Sequence, residues 1–79
     1  MQIIYSKSAT KALLKSAKKL LIREKIEDLA NDPLAMNANI VRLQARPEYR
    51  LRVQDWRIIF RIEDDVLWID EIGARGSIY

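Results

Sequence analysis

Tyr49-Arg50-Leu51-Arg52-Val53-Gln54-Asp55-Trp56-Arg57-Ile58-Ile59-Phe60-Arg61-Ile62 is the stretch on which the fold turns. From Tyr49 to Val53 apolar side chains alternate with arginines, so a strand would carry Tyr49, Leu51 and Val53 on one face and Arg50 and Arg52 on the other. Gln54-Asp55 turns the chain, and the alternation resumes with Trp56, Ile58, Phe60 and Ile62 on one side and Arg57, Ile59 and Arg61 on the other. The stretch therefore predicts a hairpin with an apolar face and an arginine-bearing face.

Downstream, Glu63-Asp64-Asp65 makes a polar turn and Val66 to Ile72 returns as a strand long enough to pair with the hairpin. Gly73 to Gly76 then bends away, leaving Ser77-Ile78-Tyr79 as a tail, and upstream Ile40 to Leu43 has strand character. At the start, Gln2 to Tyr5 favours a short strand, and Ser6 can cap a helix behind it. From Lys7 to Asn31 there is neither Gly nor Pro, and Ala, Leu, Lys and Glu dominate. Ala9, Ala12 and Leu13 set one apolar phase and Ile22, Ile26 and Leu29 another. The break predicts a hairpin of two helices over 7–15 and 18–31, with one long helix as the alternative, and Pro33 stops the second. The fold class is α+β in two layers: an N-terminal strand and a helical hairpin packed on a three- to four-stranded antiparallel sheet. Leu51, Val53, Trp56, Ile58, Phe60 and Ile62 should meet the helices, leaving the arginine face open to solvent.

The whole chain, 1–79, reads as one domain, 49% hydrophobic and 32% charged with a formal net charge of +3. At this size a single core supplies roughly 3–5 kcal/mol of net stability, so a stabilising partner is expected. Zero Cys and zero His exclude disulfide scaffolds, Cys-based zinc sites, thiol nucleophiles and every mechanism that needs an imidazole. The first residues have no basic leader character, and no apolar run approaches the ~20 residues that span a bilayer. A cytoplasmic protein without a membrane partner is the expectation.

The cations are sorted along the chain. All six Lys precede Asp28, while seven of eight Arg follow Ile40, and between Arg42 and Arg61 six Arg face only Glu48 and Asp55. Lysines along helices are most simply a solvated face. Arginines on an open sheet face suit a polyanion, because planar guanidinium forks match phosphate oxygens. The competing structural account pairs Arg50, Arg52, Arg57 and Arg61 across strands with Glu48, Asp70 and Glu71. Trp56, Trp68, Tyr5 and Tyr49 are expected to pack rather than stack on bases.

Tyr49-Arg-Leu-Arg-Val, Asp55-Trp-Arg-Ile-Ile-Phe-Arg-Ile-Glu-Asp-Asp and Ile72-Gly-Ala-Arg-Gly-Ser-Ile-Tyr79 together resemble the RelE/ParE superfamily of toxins from type II toxin-antitoxin modules, on the RelE side. The resemblance covers essentially the whole chain. It implies a ribosome-dependent endoribonuclease that cuts mRNA and inhibits translation, with the ribosome, mRNA and a cognate antitoxin as partners and with neither metal nor small-molecule cofactor. By residue it implies Arg57, Arg75 and Tyr79 as catalytic groups and Arg50 and Arg52 as RNA contacts, with Arg61 in an RNA or structural role. Fixed guanidinium groups stabilise the extra charge of a phosphoryl transition state. Arginine is a poor base, since it stays protonated with a pKa above ~12. That leaves Tyr79, whose phenol the clustered arginines would bring below its usual ~10. Lysines common at the two strand positions in the family are absent here, and Ala74 stands where many relatives have His or Lys. Two alternatives therefore stay open: a gyrase inhibitor of the ParE kind, and a degenerate module that binds RNA or antitoxin without catalysis.

Overall fold

A computed structural model describes residues 1–34 and 39–74. Chain order is β1 (Gln2–Tyr5), α1 (Lys7–Lys15), α2 (Lys19–Asn31), β2 (Ile40–Arg42), β3 (Tyr49–Val53), β4 (Trp56–Glu63) and β5 (Val66–Ala74). The helices form a hairpin rather than one rod because Ser16 breaks the ladder. Its backbone amide donates to the Leu13 carbonyl, its own φ and ψ are extended, and its hydroxyl accepts from the Lys18 amide at 3.0 Å. At the other end of α1 the Ser6 hydroxyl accepts from the Ala9 amide at 3.0 Å, satisfying one of the free first-turn donors.

The sheet has five strands in the order β1-β5-β4-β3-β2. Strands β2 to β5 are antiparallel neighbours, as expected, but β1 also joins the sheet, parallel to β5, which corrects the expected count and makes the sheet mixed. A helical crossover explains this, because the chain leaves β1 through both helices and can return in either sense. The β4–β5 turn is tight: Asp64 and Asp65 both have positive φ, which matches the twist of the flanking strands.

One face of the sheet packs on the helices. Ala9, Leu13, Ile22, Ile26 and Leu29 meet Leu51, Val53, Ile58, Phe60, Leu67, Ile69 and Ile72 in one continuous core. Each fully buried Ile or Leu contributes about 1.5–3 kcal/mol by removal from water. Positions on both faces of β4 depart from strict alternation. Ile62, expected in the core, is 41% exposed and lines an open groove with Leu29 and Phe60. Ile59 lies on the arginine face yet is fully buried, so that face is not uniformly open.

Candidate functional site

Cross-strand register turns the alternation into rows. On the face away from the helices Arg52 of β3 stands opposite Arg57 of β4, and Arg57 stands opposite Gly73 of β5. The next row holds Val41, Arg50, Ile59 and Glu71, and the one after it Arg61 and Trp68. Between the second and third rows the register of β4 and β5 slips. Ile59 pairs with Glu71 but Phe60 with Ile69, so Asp70 is an extra residue in β5. Its freed carbonyl accepts from the Ser6 hydroxyl at 2.8 Å, which ties the bulge to the cap of α1.

The bulge divides the face electrostatically. Asp70 accepts from Arg61 Nε at 3.1 Å, Glu63 takes Arg61 Nη1 at 2.6 Å, and the guanidinium lies 4.8 Å from the Trp68 ring centre. Arg46, from the loop between β2 and β3, reaches across to Glu71 at 2.6 Å and to Glu48 at 3.3 Å. Hydrogen bonds from Arg46 hold the Glu48 carboxyl below the ordinary glutamate range, and those same acids push Arg46 up. Glu63 and Asp70 likewise raise Arg61. Here two guanidinium groups face four carboxylates, which more than neutralise them.

The other end is different. Arg57 is buried, 9% exposed, and makes no ion pair among the described residues; its Nη1 donates long bonds to the Gln54 and Trp56 carbonyls at 3.4 and 3.3 Å. Arg52 is exposed and likewise forms no ion pair among the described residues. Arg50 is half-buried in the neighbouring row. Gly73 beside Arg57 offers no side chain to screen it. The structure thus brings Arg50, Arg52 and Arg57 together and gives Arg61 to its acids and Trp68, while Arg75 and Tyr79 lie outside the described residues.

Of the pairs expected for these arginines, that of Arg61 with Asp70 forms. Glu48 and Glu71 are taken instead by Arg46, a loop residue that strand periodicity could not place. Among the described residues no cluster of His, Cys, Asp or Glu is arranged to hold a metal ion. On the opposite side, an apolar groove of about 380 Å³ runs between the end of α2 and the sheet, lined by Leu29, Leu34, Ile40, Tyr49, Phe60 and Ile62. The Tyr49 and Phe60 rings stack in it with centroids 5.7 Å apart.

A small two-layer α+β domain with a cationic strip across its sheet is the class that this fold and site define. Residues 3–79 match the family described as ParE toxin of type II toxin-antitoxin system, parDE, and the chain belongs to that family, within the RelE/ParE superfamily. It is a toxin of the type II toxin-antitoxin class. Solved structures agree on the fold. The archaeal RelE-RelB complex of Pyrococcus horikoshii superposes with a TM-score of 0.79 at 24% identity, covering 96% of each chain. The Escherichia coli DinJ-YafQ complex gives 0.80 at 20% identity, covering 99% of this chain and 97% of the other. The intact Escherichia coli RelBE complex gives 0.76 at 18%, covering 96% and 98%. At these identities the likeness establishes the fold. No protein of curated function matches the sequence.

Proposed function

We propose that the chain is a ribosome-dependent endoribonuclease that cleaves mRNA and so inhibits translation. The observation that carries this reading is Arg57, a buried guanidinium with no acid to neutralise it among the described residues, placed against Arg52. An unneutralised pair of fixed forks suits a phosphate whose charge grows during reaction. In the proposed step the 2′-hydroxyl oxygen attacks the adjacent phosphorus and the bond to the 5′ oxygen breaks. The products are a 2′,3′-cyclic phosphate and a free 5′-hydroxyl. Arg57 and Arg75 bind the phosphoryl oxygens, Arg50 and Arg52 hold the flanking backbone, and Tyr79 takes the proton from the 2′-hydroxyl. The 5′ oxygen is protonated from solvent. Arg61, with both carboxylates and an indole around it, braces the sheet.

A cognate antitoxin is the second part of the proposal. The relatives named above were solved with RelB or DinJ bound. An acidic segment complements the arginine strip, and apolar side chains complement the groove, whose rim residue Leu34 is 79% exposed. A second reading is inhibition of DNA gyrase by a toxin of the ParE kind, in which the same surfaces bind protein and no RNA is cut; the ParE name of the matched family is what keeps it in view. A cell-free translation assay separates the two. Cleavage of mRNA only when ribosomes are present supports the nuclease; intact mRNA together with gyrase-dependent DNA breaks overturns it.

A further inference from the structure

The cationic strip does not end at β3. Val41 of β2 stands opposite Arg50, and Asn39, just before β2, lines the same hollow as Arg52. These four residues line a depression of about 140 Å³ on the open face. It is well below the ~300–1,000 Å³ of pockets that hold drug-sized ligands. A concave site on the sheet also cannot enter a groove of a double helix, which takes a protruding helix or ribbon. What it can take is one flat ring system.

The lining has two parts. Val41, 48% exposed, offers an aliphatic surface against which a ring face can pack. Around it, Asn39 supplies an amide with both donors and an acceptor, and Arg50 and Arg52 supply donors alone. A carboxylate from an acidic peptide would need the guanidinium groups but neither the aliphatic floor nor the amide. We propose that this depression is a base-recognition subsite, which seats one unstacked nucleobase of single-stranded RNA by packing on Val41 and by hydrogen bonds to its edge. A donor-rich wall favours a base edge with adjacent acceptors, which is the O6 and N7 pair of guanine. The inference rests on the proposed binding of RNA at the neighbouring arginines. Arg52 connects the two sites: it stands opposite Arg57 on the adjacent strand, ~4.8 Å away, and also lines the depression with Asn39. Base and phosphate would then belong to the same or neighbouring nucleotides.

The test is a titration of the isotope-labelled full chain with 2′-O-methyl RNA pentamers, identical except for a central guanine, adenine, uracil, cytosine or abasic unit. The expected result is that Asn39 and Val41 resonances shift with central guanine and that affinity falls about tenfold for the abasic pentamer. Val41→Trp, at a half-exposed site outside the core, fills the depression and should erase that difference while Arg52 still responds. Unshifted Leu51 resonances confirm that the variant is folded. If the residues respond alike to all five pentamers, the subsite is overturned and the RNA reading stands. If no pentamer shifts Arg50, Arg52, Asn39 or Val41, the subsite is overturned, while the ribosome-dependent reading is decided separately by the translation assay.

Discussion

Arg52 of β3 lies directly opposite Arg57 of β4, two like charges in one cross-strand pair. Opposed like charges in a sheet are destabilising, and pairs of this kind are worth about 0.2–1 kcal/mol. Arg57 is also buried without an acid among the described residues, so the fold carries this cost rather than gaining from it. Arg57→Met should therefore leave stability equal or raise it by up to about 1 kcal/mol in urea unfolding, and cut the cleavage rate on the order of 10²–10³-fold. A marked loss of stability would identify the guanidinium as structural. Arg52→Gln should weaken RNA binding and flatten its salt dependence, since one phosphate contact fewer releases fewer counterions.

Tyr79→Phe removes one hydroxyl and keeps the ring. If Tyr79 accepts the 2′-hydroxyl proton, single-turnover cleavage falls on the order of 10²–10⁴-fold with binding unchanged. Normal cleavage by Tyr79→Phe combined with failure of Tyr79→Ala assigns the ring to stacking on the RNA, and the proton must then leave by another group.

The network of Arg46, Glu48 and Glu71 predicts an acid-sensitive contribution to stability. Hydrogen bonds from Arg46 lower the Glu48 pKa in the folded chain. A group depressed on folding stabilises at pH values above its unfolded pKa, ~4.3 for glutamate, and that contribution is lost as pH falls through the folded value. Unfolding midpoints measured from pH 6 to pH 2 should drop below about pH 4.3, and Glu48→Gln should make that drop shallower. An unchanged acid limb would show that the network contributes nothing.

Ser6 holds two elements with one hydroxyl: it accepts from the Ala9 amide and donates to the Asp70 carbonyl at the bulge. Ser6→Ala removes the helix cap and leaves a bulge carbonyl without its donor, so it should cost about 1–2 kcal/mol. Thermal unfolding measures it. Because Asp70 also holds Arg61, a lowered stability accompanied by altered Trp68 fluorescence is the expected signature.

Period-2 alternation from Tyr49 to Ile62 by itself determined the hairpin, its apolar and arginine faces, and the core positions Leu51, Val53, Ile58 and Phe60. Ser6 and Pro33 marked helix ends for equally local reasons, since caps and breakers act on residues within one turn, whereas the part of Ser16 in the break came from the structure. Which arginines stand together could not be read that way. The pairing of Arg52 with Arg57 follows from the register of the hairpin, but the extra residue at Asp70 and the reach of Arg46 to Glu71 depend on contacts between residues far apart in the chain. Sequence alternation assigns a side chain to a face; only pairing across strands says what stands beside it, and so only the tertiary structure separated the neutralised end of the sheet from the cationic one. Ile59 shows the same limit, since its strand position marks it as outward, yet between Arg50 of β3 and Glu71 of β5 it is fully buried.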